Sequence, residues 1–128
     1  MSNRMTSQLV IDSLNHAIMD RNPAGGLIFH SDRGSQYASL DFRKSIEKNN
    51  IIQSMSGKGN CYDNAVAESF FHTLKTELVY WEKYKTRDEA KSSIFTFIEG
   101  FYNIRRRHSY LNYLSPFQYE LLYFKLVA

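Results

Sequence analysis

The stretch Gly25-Gly26-Leu27-Ile28-Phe29-His30-Ser31-Asp32 narrows what this chain can fold into more than any other. A glycine pair opens a short continuous apolar run, which suits a buried strand better than a half-exposed one, and an acid stands at its carboxyl end. A second acid, Glu68, follows with 35 residues between, in Asn60-Cys61-Tyr62-Asp63-Asn64-Ala65-Val66-Ala67-Glu68, where an amphipathic helix begins. A strand end and a helix first turn are rigid anchors for hard oxygen ligands, as magnesium or manganese sites require. Two such ions acting on the attacking and leaving oxygens of an in-line displacement would give phosphoryl transfer on nucleic acid. A site of that kind normally draws a third carboxylate from an earlier strand. Taken bare, the same two acids also fit a strand-end turn residue and a solvated helix glutamate.

The surrounding sequence supplies an alternating set of helices and strands. Leu9, Val10, Leu14, Ala17 and Ile18 fall at helical spacing over 6–19, with Thr6 or Ser7 as N-cap and an end before Asn22-Pro23. A second helix spans 39–48, with Ser39 as N-cap and Leu40, Phe42 and Ile46 inward; Asn49-Asn50 suits its stop. Ile51 to Met55 reads as another strand, followed by the loop Ser56-Gly57-Lys58-Gly59-Asn60. Asp63 or Asn64 can cap the next helix, on which Ala67, Phe70, Phe71, Leu74 and Leu78 form an apolar stripe. Asn64, Glu68, His72 and Lys75 share the adjoining face, which puts Glu68 at the rim of a buried one. Thr86-Arg87-Asp88-Glu89 has capping-box spacing, before a helix that turns Ala90, Ile94, Phe97, Ile98 and Phe101 inward. Ser115-Pro116 starts a last helix, and the tyrosines and phenylalanines of the final third are expected mostly in the core.

Composition sets the outer bounds. At 128 residues with 43% hydrophobic content, the chain holds at most one ordinary domain and can build a core. Its 16 Lys and Arg against 13 Asp and Glu give a mild basic bias, compatible with a polyanionic partner. The single cysteine, Cys61, cannot make an internal disulfide or a cysteine zinc site, so a reducing cytoplasm is the expected setting. No apolar run approaches the roughly 20 residues of a membrane span, and no membrane partner is expected.

The segments Gly26 to Glu77 and Phe101-Tyr102-Asn103-Ile104-Arg105-Arg106-Arg107-His108 through Ser115-Pro116 resemble the retroviral-integrase-like core of bacterial insertion-sequence transposases. The resemblance implies an α/β fold: a ribonuclease-H-like integrase core, N-terminally truncated, with additional C-terminal helices. Residues 1–84 would be a partial catalytic core and 85–128 its helical extension. Asp32 matches the second acid of the family's Asp-Asp-Glu triad and Glu68 the third, as catalytic residues and ligands of two magnesium or manganese ions. The first acid would lie on a strand ahead of the first helix, and Met1 to Met5 resemble the tail of the connector into it. Asp12 and Asp20, the only acids before Asp32, fall on the first helix.

Lys75 matches a basic residue that faces the DNA end in these enzymes, or is a solvated helix lysine. Lys58 joins the candidate DNA contacts. Arg105, Arg106 and Arg107 read either as phosphate contacts or as a solvated helix end that complements the helix dipole. His30, Asn60, Asp63 and Asn64 are expected to have structural roles beside the site, since magnesium favours oxygen and the Asn and Asp types suit loops and caps. Asn112 stands where the family usually has glycine, which a left-handed turn would accommodate. The expected function is DNA transposition, with transposon ends and target DNA as partners and a homo-oligomer or a full-length transposase as assembly partner. Nucleoid association in a bacterial cytoplasm would follow. With one triad acid missing, the chain is expected to be inactive alone; the other reading is an inactive DNA-binding or transposase-associating remnant of a degenerate mobile element.

Overall fold

A computed structural model describes residues 1, 3–58 and 62–127. The elements are α1 (Ser7–Arg21), β1 (Ile28–Ser31), α2 (Leu40–Lys48), β2 (Ile52–Met55), α3 (Ala65–Leu74), α4 (Arg87–Phe95) and α5 (Pro116–Val127). Short 3-10 turns cover Tyr62–Asn64 and Ser109–Leu111, while π-helical turns extend α3 over Lys75–Val79 and α4 over Thr96–Tyr102. The chain divides into two compact units, Met1–Phe70 and Phe71–Ala128.

In the first unit, local chemistry sets the helix ends. The Thr6 hydroxyl accepts from the Leu9 N–H at 3.3 Å, and Asn22, at φ 40°, closes α1 by donating to the Ile18 carbonyl. Ser39 caps α2 by accepting from the Phe42 N–H at 3.3 Å. Asn50 takes the left-handed turn after α2 at φ 54°. Strands β1 and β2 then pair in parallel, with Ile28 opposite Ile52, Phe29 opposite Gln53, His30 opposite Ser54 and Ser31 opposite Met55. Leu14 of α1, Phe42 and Ile46 of α2, and Ile51 form the buried cluster, joined by Val10, Ile11, Ile18, Phe29 and Tyr37. Phe42 is its centre, fully buried, with the Phe29 and Tyr37 rings each 5.4 Å away. Truncating such a phenylalanine to alanine costs about 3–5 kcal/mol, so this side chain fixes the strand pair to its helices.

The strand is not buried on both faces as its composition suggests. Alternation turns Phe29 and Ser31 toward the cluster, whereas Ile28 and Ile52 are exposed, at 64% and 56%. Both helices pack on the Phe29 face, and Ile28 and Ile52 point the other way. Leu40 also departs from expectation at 72% exposure, because it is the first residue of α2 and projects before the helix meets the core. In α3, Ala65 to Ser69 are exposed and Phe71 is more than half exposed; burial begins at Thr73 and Leu74. Glu68 thus stands on an open helical turn and not at the rim of a buried face.

The second unit is helical. The Thr86 hydroxyl accepts from the Glu89 N–H, and the Glu89 carboxylate accepts from the Lys85 N–H, so the capping exchange reaches one residue further back than the sequence spacing implies. Ala90 is buried, but Phe95, Tyr110, Tyr113, Phe117, Tyr119, Tyr123 and Phe124 are exposed, contrary to the expected aromatic core. Between α4 and α5 a turn is closed by the pairing of His108 with Leu114. Asn112 and Tyr113 both take left-handed conformations there, at φ 52° and 61°. The His108 ring meets the Tyr102 ring edge-on at 5.2 Å, and its buried Nε2 has no hydrogen-bond partner among the described residues.

Burial first, and then the positive charge of Arg106, hold the His108 imidazole below its ordinary value of 6.5. The unfolded chain therefore takes up this proton before the folded one does. Stability from His108 is fully present above about pH 6.5 and is lost as pH falls toward the depressed folded value. Thermal unfolding at pH 7.5 and 5.5 should show a fall in the midpoint that is smaller in His108→Gln. An equal fall in both proteins would contradict this assignment.

Candidate functional site

Asp32 follows the last residue of β1, and the hydrogen bonds around it explain how it is placed. Ser56, the first residue beyond β2, is buried and holds the chain on both sides of Asp32. Its N–H donates to the Ser31 carbonyl at 2.9 Å, its hydroxyl donates to the same carbonyl at 3.3 Å, and its carbonyl accepts from the Arg33 Nε at 2.9 Å. The His30 ring spans the same strand ends, with Nδ1 2.9 Å from the Ser54 hydroxyl and Nε2 3.2 Å from the Ser56 hydroxyl. Since the Ser56 hydroxyl donates to Ser31, it accepts from His30; this assigns the proton to Nε2 and leaves Nδ1 to accept from Ser54. Neither ring nitrogen is left open to a metal.

The Asp32 carboxylate is set by the residue two positions on. Its Oδ1 accepts from the Gly34 N–H at 2.8 Å. A Cβ on Gly34 would lie 2.9 Å from that same oxygen, 2.9 Å from the Gln36 Oε1 and 3.3 Å from the Tyr37 ring. A side chain here would have to push the carboxylate aside, because the two would occupy the same space. Tyr37, packed on Phe29 and Phe42, carries the constraint into the core. Burial, and secondarily the Asp32 charge, push its phenol above the ordinary 10.0, so it remains a neutral hydroxyl beside the acid.

Glu68 lies in the first turn of α3 and is exposed, with no partner among the described residues. The loop before it is tied at its base, where the Gly57 N–H donates to the Asp63 carboxylate at 2.8 Å. Asp63 and Asn64 form the 3-10 turn that leads into α3. Lys58 is exposed in the same loop, and Asn60 lies outside the described residues, as does Cys61. Among the described residues no group of three or more His, Cys, Asp or Glu side chains converges, so neither Asp12 nor Asp20 of α1 completes the pair.

The second unit sorts the remaining basic residues. Lys75 is exposed at the start of the π-helical turn. Arg106 is half-buried: it forms an ion pair with Glu77 and lies 5.9 Å over the Tyr102 ring. Its charge opposes the rise in the Tyr102 pKa that burial causes. Arg105 and Arg107 are exposed, and their side chains have no partner among the described residues. The three adjacent arginines therefore divide into one internal clamp and two open cations.

Sequence reasoning did not single out Gly34, Ser54, Ser56, Glu77 or Tyr102. A signal for Gly34 was present in Asp32-Arg33-Gly34, since an acid two residues before a glycine can accept its N–H in a tight turn. Ser54, Ser56 and Glu77 act through contacts between distant segments, for which the sequence carries no local cue, whereas Tyr102 meets Arg106 and His108 four and six residues on. Gly34→Ala is expected to move the Asp32 carboxylate and break its hydrogen bond to residue 34, at a stability cost of about 1 kcal/mol. A crystal structure of the variant together with its thermal midpoint would check this, and an unmoved carboxylate would contradict it.

The integrase core domain, as a sequence family, matches this chain over residues 1–61 and again over 68–122. The transposase InsF for insertion sequence IS3A of Escherichia coli (strain K12) is 46% identical over 120 residues, covering 94% of this chain and 42% of that protein. An uncharacterized 31 kDa protein of insertion element IS600 from Shigella sonnei is 47% identical over 128 residues, covering 100% of this chain and 47% of its own. The chain thus spans less than half the length of these curated relatives. Among solved structures, a chain of the simian T-cell lymphotropic virus intasome in complex with PP2A regulatory subunit B56 gamma superposes with a TM-score of 0.63 at 22% identity. That match covers 77% of this chain and 36% of the other, and it supports the same α/β architecture. The chain has the ribonuclease-H-like integrase fold and belongs to the integrase-core family of insertion-sequence transposases.

Proposed function

We propose that this protein acts in DNA transposition, as the part of a transposase catalytic core that supplies Asp32 and Glu68. The observation that carries the reading is the pair of integrase-core matches, one containing Asp32 at a strand end and the other beginning at Glu68. In chemical kind the residues fit a magnesium or manganese site: both acids are exposed, and one oxygen of Asp32 is anchored while the other is open. Such ions, two in the complete site, would activate a water or a DNA 3′-hydroxyl and offset charge on the phosphate. Asp32 and Glu68 would hold them, and His30 would orient the strand end without touching them.

DNA would meet the exposed cations. Lys58, Lys75, Arg105 and Arg107 are the proposed phosphate contacts, each releasing counterions on binding. Arg106 is reassigned to holding Glu77 and Tyr102. Transposon ends and target DNA are the proposed substrates, with a homo-oligomer or a longer transposase as the assembly partner. No helix among the described residues is long and apolar enough to cross a membrane.

Fluorescence anisotropy with duplex DNA tests the reading. Affinity should fall with added salt, and the Arg105→Ala/Arg107→Ala pair should flatten the log-log slope by about two units. Arg106→Ala should instead lower the thermal midpoint, since it removes both the ion pair with Glu77 and the contact over the Tyr102 ring. Absence of salt-dependent binding at low ionic strength would contradict the proposed function.

A further inference from the structure

Arg33 lies between the acid Asp32 and the glycine that fixes it, and no role for it follows from the triad. Its side chain is exposed overall, yet its Nε is committed to the Ser56 carbonyl at 2.9 Å. That bond uses one edge of the guanidinium and leaves both Nη groups without a partner among the described residues. No acid neutralises it: it forms no ion pair with Asp32 beside it or with any other described carboxylate. Ser56 is itself buried and held to Ser31, so the bond ties the guanidinium to the rigid end of the strand pair. Lys58 follows two residues beyond Ser56 and adds a second exposed cation at the same end.

An arginine whose only described partner is a neutral carbonyl is poorly explained as an electrostatic stabiliser. It is well suited to an anion, because the fork is pre-oriented and less side-chain freedom is lost when a ligand binds. The planar fork also matches two oxygens of a phosphate, a geometry lysine cannot reproduce. We propose that Arg33 is a DNA-binding residue, taking a backbone phosphate beside the one that Asp32 would serve. This rests on the function proposed above, and it adds a contact that places the strand relative to the acids.

The test is the salt dependence of binding to a duplex DNA of arbitrary sequence, compared among the full chain, Arg33→Ala, Arg33→Gln and Arg33→Lys. Arg33→Gln keeps an N–H donor for the Ser56 carbonyl and removes the charge, so it preserves the tie between strand ends. Both neutral variants should flatten the log-log slope by about one unit and weaken binding roughly three- to tenfold at low salt. Arg33→Lys should keep the slope and lose part of the affinity, since it retains charge without the anchored fork. A lowered thermal midpoint with an unchanged slope would show Arg33 to be only a staple and overturn the inference, leaving the proposed function intact. No salt-dependent binding by the unaltered chain would overturn both.

Discussion

The parallel pairing of β1 with β2 is the constraint on which the rest depends. Its register sets Ser31 against Met55, so the next residue, Ser56, falls beneath the end of β1 and binds the chain on either side of Asp32. Parallel strands place their carboxyl ends together, and in open α/β sheets that edge is where ligands are bound. Here the edge is closed by serine hydroxyls, a histidine ring and an arginine Nε, each spanning the two strands. The core beneath it, centred on Phe42, transmits no chemistry but keeps both strand ends from moving independently.

Asp32 is held by two separable means, and they explain why a short exposed acid can be well placed. Ser56 fixes the backbone, while Gly34 fixes the carboxylate through its N–H and through the absence of a side chain. Glu68 is placed differently, by the tied base of its loop and by the start of α3. The open apolar face at Ile28 and Ile52 belongs to the same picture: packing is concentrated on the side that supports Tyr37 and Phe29, and the exposed isoleucines take no part in positioning the acids.

What the sequence could reveal was what depends on near neighbours. The Thr6, Ser39 and Thr86 caps and the left-handed Asn112 were legible because each is decided within a few residues. Both strands were legible from β-rich runs bounded by turn residues. Burial was legible only in part, because it depends on which faces other elements cover: Leu14, Phe42, Ile46, Leu74 and Ala90 are buried as their helical spacing implies, whereas Ile28, Leu40, Phe71 and the aromatic residues of α5 are exposed. The arginine triplet shows the same limit. Three identical neighbours look equivalent as a charge run, yet contact with Glu77, 29 positions earlier, removes Arg106 from the open set.

The central claim is that Asp32 and Glu68 serve one metal-binding site on a rigid strand end and a helix start. It is tested most directly by locating manganese through its anomalous scattering in crystals of the chain, grown with the assembly partner where the lone chain binds weakly. The expected result is anomalous density with carboxylate oxygens of both Asp32 and Glu68 at about 2 Å, which disappears in Asp32→Asn. Manganese bound to neither acid, or to one of them with the other turned away, would contradict the account.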